Sequence, residues 1–200
     1  NTKNDHQIIE ARVEGTLTIP TATDNNTLCL ACHATFGPFA TIKKEEVAEY
    51  AKNIDKISNV TEAHSFHPYG PERSMGLSRC TLCHMPKVAT SGASYDIHSH
   101  TFEPIAPEKT LMYQDKGGMP NSCALSCHST KVNSFGLGLD PTITKWNEAF
   151  DVSLANTLKV YFGPAGKWWN TTAPASMTQR ILATSVPPEL ALAPSHTNDD

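Results

Sequence analysis

Cys80-Thr81-Leu82-Cys83-His84 decides how this chain is read, because the same arrangement returns on both sides of it. Cys29-Leu30-Ala31-Cys32-His33 repeats it toward the N-terminus. Cys123-Ala124-Leu125-Ser126-Cys127-His128 repeats it toward the C-terminus with one extra residue between the cysteines. These three stretches consume all six cysteines. Two thiols spaced C-x-x-C and followed at once by an imidazole form the attachment signature of c-type haem. The chemistry sets the spacing: the thiols add to the two porphyrin vinyl groups as thioethers, and the next histidine falls beneath the macrocycle as an axial ligand to iron. The extra residue of the third stretch needs only a bulge in the loop. Cys29, Cys32, Cys80, Cys83, Cys123 and Cys127 are therefore the expected attachment points, with His33, His84 and His128 as proximal ligands.

Other chemistries use close cysteine pairs. Six cysteines in an exported chain can form three disulfides, and C-x-x-C is half of many zinc sites. Neither asks for a histidine after every pair. With 9 histidines in 200 residues, three such coincidences have a probability of about 10⁻⁴. A thioredoxin-like motif would occur once, inside a βαβ pattern that this sequence lacks. Three covalently attached haems are expected.

Six histidines lie outside the motifs: His6, His64, His67, His98, His100 and His196. A short repeat sorts them. Ala63-His64-Ser65-Phe66-His67-Pro68 parallels Ser99-His100-Thr101-Phe102-Glu103-Pro104, a shared H-[S/T]-F-x-P whose histidines precede the next cysteine motif by 16 and 23 residues. A histidine on iron, a phenylalanine against porphyrin and a proline fixing the loop make His64 and His100 the expected distal ligands. His98 lies two positions before His100, and in extended backbone the two side chains point to opposite faces and can serve different haems. His67 stands in a similar relation to His64. His6 lies 23 residues before Cys29, and His196 lies near the C-terminus; both are candidates for distal or inter-subunit ligation. Methionine is the competing sixth ligand, but with histidine in surplus, low-potential bis-histidine haems are expected.

The composition suits a core filled partly by cofactor. Apolar residues make up 39% and aromatics 8% of 200 residues, low for a core built from side chains alone. Charged residues at 18% are too few for a highly charged disordered chain. The net charge is −4, and the longest basic run is Lys43-Lys44, which argues against nucleic acid as a partner. No window approaches the ~18 apolar residues of a membrane span. An opening at Asn1 without methionine suits an exported chain whose signal peptide has been removed.

Ile9, Ala11, Val13, Leu17 and Ile19 share one parity around Gly15, predicting a half-buried strand or short hairpin ended by Pro20. Val47, Tyr50, Ile54 and Ile57 predict a helix from Ile42 to Ile57 with Thr41 as N-cap. From Ser58 to Thr142 periodicity is scarce, which a large bound cofactor would explain. A second helix is expected to start near Thr142 or Thr144, with Trp146, Phe150, Leu154 and Leu158 on one face, and to stop at Gly163-Pro164. The expected fold is thus mostly irregular and loop-rich, with a few α-helices and a short N-terminal strand or hairpin, templated by haem. Residues 1–170 are read as one triheme domain. Residues 171–200, rich in proline but carrying Ile181, Leu182, Val186, Leu190 and Leu192, are read as an extended arm laid over a neighbouring subunit.

The stretch from His64 to His128 resembles the multihaem c-type cytochromes. Cys80-Thr-Leu-Cys83-His84-Met85-Pro86-Lys87 is similar to a C-x-x-C-H-M-P-K haem site common in that group, His98-Ser99-His100-Thr101-Phe102 resembles the distal-histidine loop that often follows it, and Met119-Pro120-Asn121-Ser122-Cys123 resembles the entry to a further site. The layout also resembles the small extracellular cytochromes that polymerise into conducting filaments, with three haems where those commonly carry four or more. That resemblance implies a head-to-tail homopolymer, extracellular or at the cell surface, in which a haem takes its distal histidine from the next subunit.

Three haems in 200 residues must lie nearly in contact, and such packing makes a path for electron hopping. The expected function is electron transfer rather than catalysis, as a subunit of an extracellular conducting filament that passes electrons to other redox proteins or an extracellular acceptor. The alternative is a discrete periplasmic electron shuttle or redox-partner subunit. A multihaem oxyanion reductase ranks last: it would need an open iron position and a donor-rich pocket, and the chain has only four arginines.

Overall fold

The computed structural model describes residues 11–23, 25–68, 78–89, 97–132, 143, 145–163 and 166–167. His6, His196 and the 171–200 arm lie outside the described residues. The chain divides into two units, 1–80 and 81–200. It is partly helical, with two small antiparallel sheets.

The first unit opens with a hairpin of β1 (Ala11–Glu14) and β2 (Leu17–Pro20). Gly15 turns it at φ +60°, a conformation glycine adopts without steric cost. Pro20 ends β2 as expected. The single-parity reading needs correction, however. Arg12 pairs with Ile19 and Val13 with Thr18, and paired residues share a face. The two-residue turn therefore inverts parity: Ile19 is fully buried while Val13 is 68% exposed.

The expected helix over 42–57 is two helices. Thr41 is not the cap. α2 (Lys44–Ala48) starts after Lys43, whose N–H donates to Glu46 Oε2 at 2.8 Å. It ends at Glu49, and α3 (Tyr50–Ser65) follows. Glu49 adopts φ −100°, ψ 42°, and Asn53 Nδ2 donates to the Glu46 and Glu49 carbonyls at 3.3 and 3.1 Å, covering the break. α1 (Thr27–His33) packs with these elements. Ile19, Leu30, Ala31, Ala34, Ile42, Val47 and Ile57 form the core.

α4 (Cys80–His84) spans the division between the units. In the second unit, β3 (Lys87–Ala89) pairs with β4 (Ile97–His98), followed by α5 (Pro107–Met112), a π-helical turn over Ala124–His128 and α6 (Ala149–Leu158). The helix expected from Thr142 starts later, because Glu148 is its N-cap and donates its N–H to Asp151 Oδ2 at 3.1 Å. Trp146 precedes the helix and is buried within the core of the second unit, while Phe150 is 40% exposed. Leu154 and Leu158 do face the core, with Ala124, Leu125, Val132 and Trp146. Gly118 receives the Trp146 backbone: a Cβ there would sit 2.1 Å from the Trp146 carbonyl oxygen.

Candidate functional site

Each cysteine motif lies on a short helical turn, and in each the spacer residues are the ones that sink into a core. Leu30 and Ala31 are buried between Cys29 and Cys32, Leu82 between Cys80 and Cys83, and Ala124, Leu125 and Ser126 between Cys123 and Cys127. The cysteines and following histidines remain half-buried or exposed. None of the six cysteines is in a disulfide. Each helical turn is thus anchored by its middle, with its cysteines and the following histidine at less buried positions on either side.

The third motif accommodates its extra residue by widening the turn. Ser129 N–H donates to the Ala124 carbonyl at 3.3 Å, an i→i+5 bond, where an α-helix closes i→i+4. One more residue per hydrogen-bonded turn is what four-residue spacing of two thiols requires.

Two buried asparagines set the motif ends. Asn26, left-handed at φ 67°, accepts the Cys80 N–H at Oδ1 (2.9 Å) and donates from Nδ2 to the Ser78 carbonyl at 3.0 Å. It therefore ties the start of the first motif to that of the second within the first unit. Asn121 accepts the Ala124 N–H at 2.9 Å and donates to Thr110 Oγ1 at 3.0 Å. In the second unit, the Ser126 hydroxyl donates to the Leu82 carbonyl, joining the spacers of the second and third motifs. Sequence reasoning quoted Asn121 and Ser126 within motifs but gave none of these three residues a role of its own. The asparagines three residues before Cys29 and two before Cys123 were the available signal, since Asn favours caps and left-handed backbone.

The thiols differ in acidity. A hydrogen bond with the Cys80 thiol holds Cys29 below its ordinary value, against an opposing effect of burial. Burial pushes Cys83 up to about 11. Cys123 is raised further by burial, with the neighbouring Cys83 and Cys127 adding to it. Arg12 Nη1 donates to Cys32 Sγ at 3.1 Å.

Three histidines are held by Nδ1 on backbone carbonyls: His84 on Phe102 O at 2.8 Å, His98 on Met85 O at 2.5 Å and His67 on Ser65 O at 2.6 Å. An imidazole that donates Nδ1–H to a carbonyl presents Nε2 as its lone-pair nitrogen, the usual support of a metal-ligating histidine. His84 and His98 are held reciprocally, since Met85 follows His84 and Phe102 closes the loop that carries His98. Burial lowers His67, favouring its neutral ring over the opposing pull of the Ser65 carbonyl. His64 stands edge-on to Phe39, with ring centroids 5.1 Å apart. His100 is exposed.

These residues fit c-type haem. Each anchored turn brings two thiols and a histidine together, the His84 Nδ1 meets a carbonyl and so leaves Nε2 as its lone-pair nitrogen, and Phe36 and Phe102 leave apolar surface (64% and 39% exposed) near two of the motifs. Among the described residues no three His, Cys, Asp or Glu side chains converge as a metal cluster. Haem asks for no such cluster, because the porphyrin brings four of the iron ligands itself.

The chain matches no protein-family model, and comparison with curated proteins and with solved structures finds no significant match.

Proposed function

We propose that the chain is a triheme c-type cytochrome that transfers electrons as a subunit of an extracellular conducting filament. The observation that supports the haem reading is the common build of the three motifs, each a short helical turn with buried spacer residues between two less buried cysteines and a histidine directly after them. Haem, when bound, supplies the one-electron iron couple. The cysteines hold it so that it cannot dissociate from a loop-rich scaffold. His33, His84 and His128 present the proximal imidazoles; His64 and His100, with His67 and His98, are the internal pool of distal ligands.

The filament reading is supported by the apolar residues of the 171–200 arm and by His6 and His196, which lie outside the cysteine motifs and outside both copies of H-[S/T]-F-x-P. A head-to-tail contact needs two complementary surfaces on one subunit, which an arm and its receiving face would provide. No helix among the described residues is long and apolar enough to cross a membrane.

Intact-mass measurement and the reduced absorption spectrum of the native protein test the haem reading. Three haems per chain and no alkylatable thiol are expected; six free thiols would overturn it. Electron microscopy of the same material tests the polymer. Unbranched filaments support it, whereas single small particles make the protein a discrete electron shuttle.

A further inference from the structure

The two copies of H-[S/T]-F-x-P share more than sequence. Phe66 and Phe102 occupy the same place in the pattern, and both adopt φ +57°. Left-handed backbone crowds Cβ against the carbonyl and is uncommon for bulky side chains. Such conformations persist where the surroundings over-determine them, and they concentrate at functional sites.

Each loop also holds an imidazole by its Nδ1. In the second copy the acceptor is Phe102 O, which takes the His84 Nδ1–H at 2.8 Å. In the first it is Ser65 O, on the residue preceding Phe66, which takes the His67 Nδ1–H at 2.6 Å. The carbonyl differs between copies, but in both it flanks the left-handed phenylalanine. Around Phe66 the turn is fixed independently: its N–H donates to Glu62 O at 2.8 Å as α3 ends, and the Ser78 hydroxyl donates to His67 O.

We propose that Phe66 and Phe102 are positioning residues whose left-handed backbone turns a loop carbonyl onto an imidazole Nδ1–H, fixing His67 and His84 with Nε2 as the ligating nitrogen. The purpose of this device rests on the haem reading; its geometry does not. The relevant property of the phenylalanine is its backbone conformation, so removing the ring and opposing the conformation have different effects.

The test is a set of full-length variants: Phe102→Gly and Phe102→Asn, which tolerate left-handed backbone, and Phe102→Val, which resists it. With Nε2 on iron the proton stays on Nδ1 in every variant, so the reporter is the His84 Nδ1–H proton itself, whose chemical shift and solvent exchange in the reduced state show whether the Phe102 carbonyl still accepts it. Glycine and asparagine variants are expected to keep a downfield, slowly exchanging Nδ1–H, and the valine variant to lose it. In haem-loaded protein, the valine variant is also expected to move one of three redox couples to higher potential, because losing the carbonyl acceptor lowers the basicity of the ligand. Loss of the protected Nδ1–H in the glycine or asparagine variant would overturn the proposal in favour of ring packing, as would its retention in the valine variant. If the valine variant does not fold, the other two decide, since both must keep the hydrogen bond. Absence of haem from the parent would overturn the haem reading alone, and the Nδ1–H signal would still judge the loop.

Discussion

Asn26 concentrates several constraints in one side chain. It is 1% exposed and left-handed, and its amide serves both Cys80 and Ser78. Asn26→Ala leaves the half-buried Cys80 N–H and the buried Ser78 carbonyl without this partner, each costing about 1–3 kcal/mol, so a loss of about 2–6 kcal/mol is expected in denaturant unfolding. Asn26→Asp keeps the acceptor for Cys80 but sets a buried carboxylate oxygen against the Ser78 carbonyl, so it should lose at least as much at neutral pH and recover in acid, where the protonated carboxyl can donate. A loss that does not change with pH would show that the Ser78 bond contributes little. The thiols make a second prediction at this scale. Burial raises Cys83 from 9.0 to about 11, so in haem-free chain the unfolded state deprotonates first. Its contribution to stability is constant below pH 9 and falls as pH rises toward 11. Thioether formation removes the ionisable group, so haem-loaded protein should show no such decline in its unfolding midpoint.

At the scale of elements, α6 is fastened by Lys131, which follows the third motif. Its Nζ lies 2.7 Å from Asp151 Oδ2, 3.2 Å from Glu148 Oε2, 3.0 Å from the Lys145 carbonyl, and 5.4 Å from the Trp146 ring centre. The Asp151 side chain is only 2% exposed. Lys131→Met would leave that carboxylate buried without its cation, costing about 3–5 kcal/mol; a change below 1 kcal/mol would mean that Asp151 protonates or that α6 shifts. This fastening also shows where sequence legibility stops. The Leu154 and Leu158 face was readable from spacing, but Trp146 fits the same i+4 series and is not in the helix. Periodicity cannot see that Asp151 caps Glu148 and so fixes the first turn. Likewise, alternation from Ala11 to Ile19 was legible, while the inversion at the two-residue turn was not. The three cysteine motifs were legible because their spacing recurs in the sequence whatever the packing around them. The asparagines that clamp them were not, because their partners lie as far as 54 residues away.

For the whole molecule, the filament reading assigns residues 171–200 to assembly and the three motifs to cofactor. These roles are separable. Removing 171–200 is expected to leave three haems per chain while abolishing filaments in electron micrographs; filaments that persist would take the arm out of the contact. The motifs have a further consequence. α1 has seven residues, and α4 and the π turn five each, well short of the ~12–15 that a helix needs to persist alone. No thiol pair acquires its turn until distant parts of the chain close over the spacer residues. A newly emerged chain therefore offers each pair as bare, accessible string until Leu30, Leu82 or Leu125 is engulfed. If the haem proposal holds, that interval is the one in which the cofactor must be joined, and maturation becomes a contest between bond formation and collapse at each motif in turn.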